Sequence, residues 1–274
     1  MPDLYAVIGN PIAQSKSPFI HMRFAEAAGQ DMVYRALEAP PDGFVARVDA
    51  FRREGGRGLN VTTPFKLDAF AYATDYSDRA RFAGAVNALK FADGCVFAEN
   101  FDGIGLVTDI EQNLVFPIRQ RRVLMLGAGG AARGAIEPLL GAKPAALVIA
   151  NRTRSAAAAL VEQFASFGQV EYAGSSELEQ FPPFDLVINA TSASLRGELP
   201  AIQASAFAPG ALAYEMVYGR GLTPFLQVAH SAGAARLADG VGMLVEQAAE
   251  AFAWWRGVRP DTRPVIASLS KPLV

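Results

Sequence analysis

Gly127, Gly129 and Ala132 stand at G-x-G-x-x-A spacing directly after an apolar run, Val123-Leu124-Met125-Leu126. This order predicts a buried parallel strand, a tight turn and a helix start. Side chains there are small enough for backbone N–H groups and a helix N-terminus to close on a pyrophosphate. The spacing alone also arises in ordinary glycine-rich turns, but a strand before it and an alanine-rich segment after it favour a dinucleotide site. The apolar run 145–150 reads as the second strand of the same βαβ unit, and it ends in Asn151, Arg152, Thr153 and Arg154. An NAD site places Asp or Glu at about 20 residues past the glycines to hold the ribose 2′-hydroxyl, whereas arginine suits a 2′-phosphate. The sequence therefore favours NADP, with Arg152 directly after the strand as the stronger candidate. For Arg154, decoration of an exposed strand end is nearly as good a reading.

A second set of candidates lies in the first hundred residues. The run Leu4 to Ile8 predicts a strand that stops at Gly9-Asn10-Pro11. Ser17 followed by Pro18 then reads as an N-cap and first helical residue. Ser15 and Ser17 thus stand beside a positive helix end, a seat for a carboxylate or simply a well-capped helix. Farther on, Leu59-Asn60-Val61-Thr62-Thr63-Pro64-Phe65-Lys66 reads as a strand ending in polar residues, with Lys66 opening the next helix. A cation at a helix N-terminus faces the unfavourable end of the dipole, which sets Lys66 apart from a surface lysine. Residues 86–89 and 95–98 predict a hairpin across Asp93-Gly94, and Asp102 reads as the cap of a helix over 104–114.

Length and composition bound what these residues can do. A chain of 274 residues, 51% apolar and 19% charged, suffices for two packed cores. With a formal charge of -2 and no basic stripe, the expected partner is a small molecule rather than nucleic acid. Cys95 is the single cysteine and His21 and His230 the two histidines, so no metal-ligand cluster is expected and redox chemistry must come from a bound cofactor. The opening residues lack the pattern of a signal peptide and no apolar stretch is long enough to span a bilayer, so the expected location is the cytoplasm. Monomer and homodimer both stay open.

The motifs GNPIAQSKSP (Gly9 to Pro18), NVTTPFK (Asn60 to Lys66), GAVN (Gly84 to Asn87), NFDG (Asn100 to Gly103), GAGGAAR (Gly127 to Arg133) and NRT (Asn151 to Thr153) recur, in this order, in one family. By them, and by Asn189 to Ser192, Tyr214 to Tyr218 and Ala238 to Gln247, the chain resembles the bacterial shikimate dehydrogenases over nearly its whole length. The resemblance implies a two-domain α/β fold. A mixed α/β substrate domain would span residues 1–101, completed by 239–274, and a Rossmann-type, doubly wound NADP-binding domain would span 102–238. It implies NADP-dependent, reversible reduction of 3-dehydroshikimate to shikimate in aromatic amino-acid biosynthesis. Lys66 and Asp102 would be the catalytic pair, and which of them is the formal base is open. Ser15 and Ser17 would bind the substrate carboxylate, while Asn60, Thr62, Asn87, Tyr218 and Gln247 surround its ring and hydroxyls. Gly127, Ala128, Gly129, Gly130 and Ala131, with Asn151, Arg152, Thr153 and Arg154, would hold NADP, and Met216, Gly240 and Met243 would lie near the nicotinamide.

Four positions depart from the family pattern. Gln14 stands where His is usual, Phe101 where Thr is usual and Glu215 where Asp is usual, and the second cofactor arginine usually lies a little later than Arg154. Phe101, next to the catalytic Asp102, puts a large ring where a hydroxyl is expected. It keeps alive a relative that acts on quinate or another cyclic hydroxy acid. A non-catalytic dinucleotide-binding regulator on the same fold is the reading that the presence of both Lys66 and Asp102 opposes.

Overall fold

The computed structural model describes residues 1–273. The chain divides into two compact units, one of Met1–Gly105 with Val245–Ala267, the other of Leu106–Leu244 with the residues from Ser268 on. Each has its own sheet and core.

The first unit begins with β1 (Asp3–Gly9), α1 (Ser17–Ala27), β2 (Met32–Glu38), α2 (Phe44–Arg53) and β3 (Gly56–Val61). Then come α3 (Lys66–Tyr72), β4 (Asp75–Tyr76), α4 (Asp78–Ala83), β5 (Ala88–Ala92), β6 (Cys95–Glu99) and the start of α5 (Asp102–Thr108). Its sheet has the order β2-β1-β3-β5-β6-β4. Strands β1, β2 and β3 are parallel, and the expected hairpin is the antiparallel pair β5–β6. Ile8, Leu59, Phe65, Val86 and Leu89 are fully buried or nearly so on one side of this sheet, packed with Phe44, Val48 and Phe51 of α2.

The second unit runs through β7 (Arg122–Leu126), α6 (Gly130–Gly141), β8 (Ala146–Asn151), α7 (Arg154–Phe164), β9 (Val170–Gly174) and β10 (Phe184–Asn189). It continues with β11 (Phe207–Glu215), α8 (Pro224–Ser231) and β12 (Arg236–Asp239). All six strands are parallel, in the order β12-β11-β10-β7-β8-β9. This is the doubly wound arrangement, with its switch point between β7 and β10. The near-continuous apolar runs have the expected cause: Val123 to Leu126 and Ala146 to Ala150 are buried, because helices cover both faces of an all-parallel sheet. The last helices are α9 (Val241–Arg256) and α10 (Arg263–Leu269).

The boundaries differ from those expected at 101/102 and 238/239. The first turn of α5 stays with the first unit, because Phe101 N donates to Asn87 Oδ1 (2.9 Å) and Asp102 N to Asn100 Oδ1 (3.1 Å). At the other end the first turn of α9 stays with the second unit, since Met243 N donates to the Tyr214 hydroxyl (3.3 Å), which itself donates to Asp109 Oδ2 (2.7 Å). The tail, expected in the first unit, groups with the second, where Leu273 packs on the core. Two caps also differ from expectation. Ser17 is the first residue of α1 rather than its cap, and Ser15 Oγ accepts from Ser17 N (3.3 Å). Asp102 likewise opens α5 without capping it; Asn100 supplies the acceptor, which leaves the Asp102 carboxylate free for other partners.

Candidate active site

The sheet order of the first unit places the ends of β1 and β3 side by side, and of the expected substrate-side residues all but Tyr218, which belongs to the second unit, lie in this unit. Lys66, first residue of α3, turns its Nζ to Asp102 Oδ2 at 2.5 Å. The Lys66 side chain keeps 26% exposure and that of Asp102 10%, so the ammonium is reachable while the carboxylate is largely enclosed. The other Asp102 oxygen accepts from Asn87 Nδ2 at 2.8 Å, and the same nitrogen donates to Gln247 Oε1 at 3.3 Å. Asn87 Oδ1 takes the Phe101 N–H, so both ends of this buried amide are committed and its rotamer is fixed. Asn60 joins through Nδ2, which donates to the Asn87 carbonyl at 3.3 Å. Thr62 is half-buried, and its N–H donates to the Ile8 carbonyl at 3.0 Å. Ser15 is half-buried and Ser17 buried at the start of α1.

Chemically, this is an ammonium paired with a carboxylate in a partly enclosed place, framed by neutral amides and hydroxyls. Both Asp102 oxygens are occupied as acceptors, one by the Lys66 side chain and one by the Asn87 amide. Lys66 is the member of the pair exposed enough to exchange a proton with a ligand. The Phe101 ring is turned inward, 3% exposed, edge-on to Trp254 at 5.8 Å and beneath the Arg79 guanidinium at 5.9 Å. The departure at position 101 therefore fills core, and its backbone still holds Asn87.

The second unit carries the expected cofactor residues at the carboxyl ends of β7 and β8. Gly127 has φ +106°, and a Cβ there would meet Thr191 Cγ2 at 3.1 Å and the Ala190 carbonyl at 3.2 Å. The protein's own backbone requires that glycine. Gly129 and Gly130 are different: a Cβ at either would meet nothing within 4 Å, and both are exposed. Space above two small residues at the N-terminus of a 12-residue helix with no side-chain cap suits a pyrophosphate drawn close to free N–H groups. Ala128 and Ala131 flank them, half-buried. The residues present thus fit the dinucleotide that the sequence predicts.

At the end of β8, Asn151 Nδ2 donates to the Thr153 carbonyl at 3.0 Å and shapes the turn into α7. Arg152 and Thr153 are exposed. Arg154 is paired with Glu177 Oε1 at 2.5 Å and lies over the Tyr172 ring at 5.1 Å. The two arginines are therefore not equivalent: Arg154 already has its counter-charge.

Met216 and Gly240 are tightly packed, since a Cβ on Gly240 would come within 2.2 Å of the Met216 carbonyl oxygen. Met243 is buried and Tyr218 is exposed. What the sequence did not reveal is how these loops are held. Glu215 is fully buried and accepts from Asn189 Nδ2 (3.0 and 3.2 Å), Ser194 Oγ (2.5 Å), Thr223 Oγ1 (3.0 Å) and Val217 N (3.3 Å). One carboxylate thereby ties the loop after β10 to the loop after β11. Among the described residues no group of three His, Cys, Asp or Glu side chains could hold a metal ion, and no helix is long and apolar enough to cross a membrane.

Comparison with known proteins matches three segments of the chain. Residues 7–89 match the shikimate dehydrogenase substrate binding domain, residues 109–202 the shikimate / quinate 5-dehydrogenase model and residues 240–269 the shikimate 5'-dehydrogenase C-terminal domain. The chain is 58% identical to the shikimate dehydrogenase (NADP(+)) of Nitrosospira multiformis, over 100% of its own length and 99% of that protein. Among solved structures it is similar to an Ael1 enzyme from Pseudomonas putida, at 58% identity and a TM-score of 0.95, covering 99% of this chain and 100% of that one. It is also similar to the shikimate 5-dehydrogenase of Thermus thermophilus in complex with NADP(H) and shikimate, at 30% identity and a TM-score of 0.87, covering 97% and 98%. With identity this high across the full length of both chains, the chain belongs to the shikimate dehydrogenase family.

Proposed function

We propose that this protein is an NADP-dependent shikimate dehydrogenase, an oxidoreductase acting on a CH-OH group, which reversibly reduces 3-dehydroshikimate to shikimate. The observation that carries this reading is the Lys66–Asp102 pair at 2.5 Å with Asn87 and Gln247 around it. The nicotinamide cofactor, when bound, supplies or takes the hydride. Everything else falls to the chain. In reduction the Lys66 ammonium donates a proton to the oxygen that gains negative charge, and in oxidation the neutral amine recovers it. Asp102 holds the ammonium in place and compensates its charge. Gln247 supplies a hydrogen bond to a ring hydroxyl, and Asn87, whose two N–H groups hold Asp102 and Gln247, borders the same ring with the second lone pair of its Oδ1. Asn60 and Thr62 lie beside them, with Tyr218 as a further contact. Ser15 and Ser17 take the carboxylate at the start of α1, where the helix end favours an anion. Arg152 takes the 2′-phosphate, the turn Gly127 to Ala131 takes the pyrophosphate, and Met216, Gly240 and Met243 border the nicotinamide. Residues 1–105 with 245–267 act as the substrate domain and 106–244 as the NADP domain. The cytoplasm, where such biosynthetic intermediates circulate, is the proposed location.

A steady-state assay with shikimate and quinate against NADP+ and NAD+ tests this directly. Shikimate with NADP+ is the expected best pair. Lys66→Met should leave NADP+ binding near normal while turnover falls about 100-fold or more, the scale of a lost acid/base group. Retained turnover in that variant would move the proton chemistry to another residue. Preference for quinate would make the alternative substrate the right one.

A further inference from the structure

Two buried polar side chains next to the substrate-side cluster have no part in the mechanism above. Tyr34 is 5% exposed and His21 is 0% exposed. Their rings stack face to face, with centroids 4.2 Å apart and planes 5° from parallel. Phe24, Phe252 and Trp255 surround the His21 ring. Neither His21 nitrogen has a hydrogen-bond partner, although the Asn60 side chain faces the ring. Burying such groups without full compensation costs about 1–3 kcal/mol each, so a core built only for stability would favour Phe at both positions. What distinguishes Tyr34 from Phe is its hydroxyl, which donates to Asn60 Oδ1 at 2.6 Å. The Ser17 side chain is turned to the same hydroxyl.

That bond decides which end of Asn60 is which. A side-chain amide has one acceptor end and one donor end of nearly the same shape, and its neighbours choose between the two orientations. Tyr34 donates to the oxygen, and the Asn87 carbonyl accepts from the nitrogen. Both contacts favour the same orientation. The second hydrogen of Asn60 Nδ2 is used by neither of these two contacts.

We propose that Tyr34, backed by the stacked His21 ring, is a positioning residue for substrate binding: it fixes the Asn60 amide with its donor end toward the ligand. The group bound there must then accept hydrogen bonds, as the oxygens of a hydroxy acid do. The proposal rests on the reading of Asn60 as a substrate contact. It adds a residue that touches no substrate yet sets the polarity of one that does.

The test is a double-mutant cycle of Tyr34→Phe and Asn60→Ala, with shikimate KM, kcat, NADP+ affinity and melting temperature measured for each. Tyr34→Phe should raise the shikimate KM about ten-fold, as expected for one misdirected hydrogen bond, with kcat within about two-fold and NADP+ affinity unchanged. In the Asn60→Ala background the same change should add almost nothing. A full additional KM increase there would show that Tyr34 acts independently of Asn60 and would overturn the proposal, as would an unchanged KM in the single variant. Should Tyr34→Phe unfold, Asn60→Asp gives a separate answer. It keeps an acceptor for Tyr34 but removes the donor end, so the shikimate KM should rise by about ten-fold or more; an unaltered KM would overturn the proposal. A wild-type protein inactive on every hydroxy acid would instead remove the functional reading on which this rests.

Discussion

Two arginines within three residues illustrate how far charge alone is from function. Arg152 and Arg154 carry the same charge at the end of the same strand, yet Arg154 meets Glu177 and covers Tyr172 while Arg152 is exposed with no ion pair among the described residues. Glu177 is itself held, because Gly174 N donates to its other oxygen at 2.8 Å. A 2′-phosphate recruiting Arg154 would have to compete with that carboxylate, whereas Arg152 makes no ion pair among the described residues and is attracted only at longer range by the exposed Glu198. Arg152→Ala should therefore weaken NADP+ binding by about ten-fold or more and leave NAD+ nearly untouched, the loss of one charge-assisted hydrogen bond. Arg154→Ala should change the NADP+ affinity by less than about three-fold. Calorimetric titration of both variants with both cofactors measures this, and equal losses for NADP+ and NAD+ at position 152 would show that the guanidinium does not meet the phosphate. The sequence named both arginines; their inequality depends on Glu177, which follows β9 and reaches Arg154 only because β8 and β9 are neighbours.

At the level of elements, the β7–turn–α6 unit was legible because its signal is local: a buried strand, small residues and a helix in direct succession. Its three glycines nevertheless do different work. Gly127 is confined by a left-handed backbone and by Thr191 and Ala190 across the switch point, so Gly127→Ala should destabilise the fold. Gly129 has open space where its Cβ would be and an extended backbone that any residue can adopt. Gly129→Ala should leave the melting temperature within about 2 °C of wild type, since it strains nothing, yet weaken NADP+ binding by about ten-fold or more by occupying the space for the phosphates. Thermal melts with and without NADP+ separate the two cases; a Gly129→Ala protein that binds NADP+ normally would mean the phosphates lie elsewhere. The substrate side was legible in part. Lys66, Asn87 and Asp102 stand on short motifs, but their convergence needs α3, β5 and α5 brought to one end of the sheet. Tyr34 and Asn60 were not legible as partners. Tyr34 pairs with Tyr5 on β1, and Asn60 with Val7 on its other side, so they meet only because β1 lies between β2 and β3. No local spacing encodes that order. The Glu215 hub is hidden for the same reason, since its donors come from the ends of two strands and the start of α8.

For the molecule as a whole, two units with separate cores imply that unfolding need not be one transition. The acid stability of the first unit should carry the mark of His21. Burial holds this imidazole neutral and lowers its pKa from 6.5 to about 3. Once unfolded, the same ring regains its ordinary affinity for a proton. Between about pH 6.5 and about pH 3 the unfolded chain thus binds one more proton at this position than the folded one, so stability is full above about 6.5 and falls as pH drops. The slope approaches about 1.4 kcal/mol per pH unit once the unfolded ring is mostly charged. Both tryptophans, Trp254 and Trp255, lie in the part of α9 that belongs to the first unit, and the Trp255 ring is 5.5 Å from His21. Their fluorescence therefore reports the unit in question without interference from the other. Denaturant titrations followed by tryptophan emission at pH 7, 6 and 5 should show the wild type losing stability toward pH 5. His21→Phe, which keeps a ring against Tyr34 but has no site for a proton, should lose about 1 kcal/mol less over the last unit, because every other titrating group is common to the two proteins. Parallel pH dependences in the two would mean that the folded protein admits the proton at His21, and the ring would then not be the sealed, neutral support for Tyr34 that its burial describes.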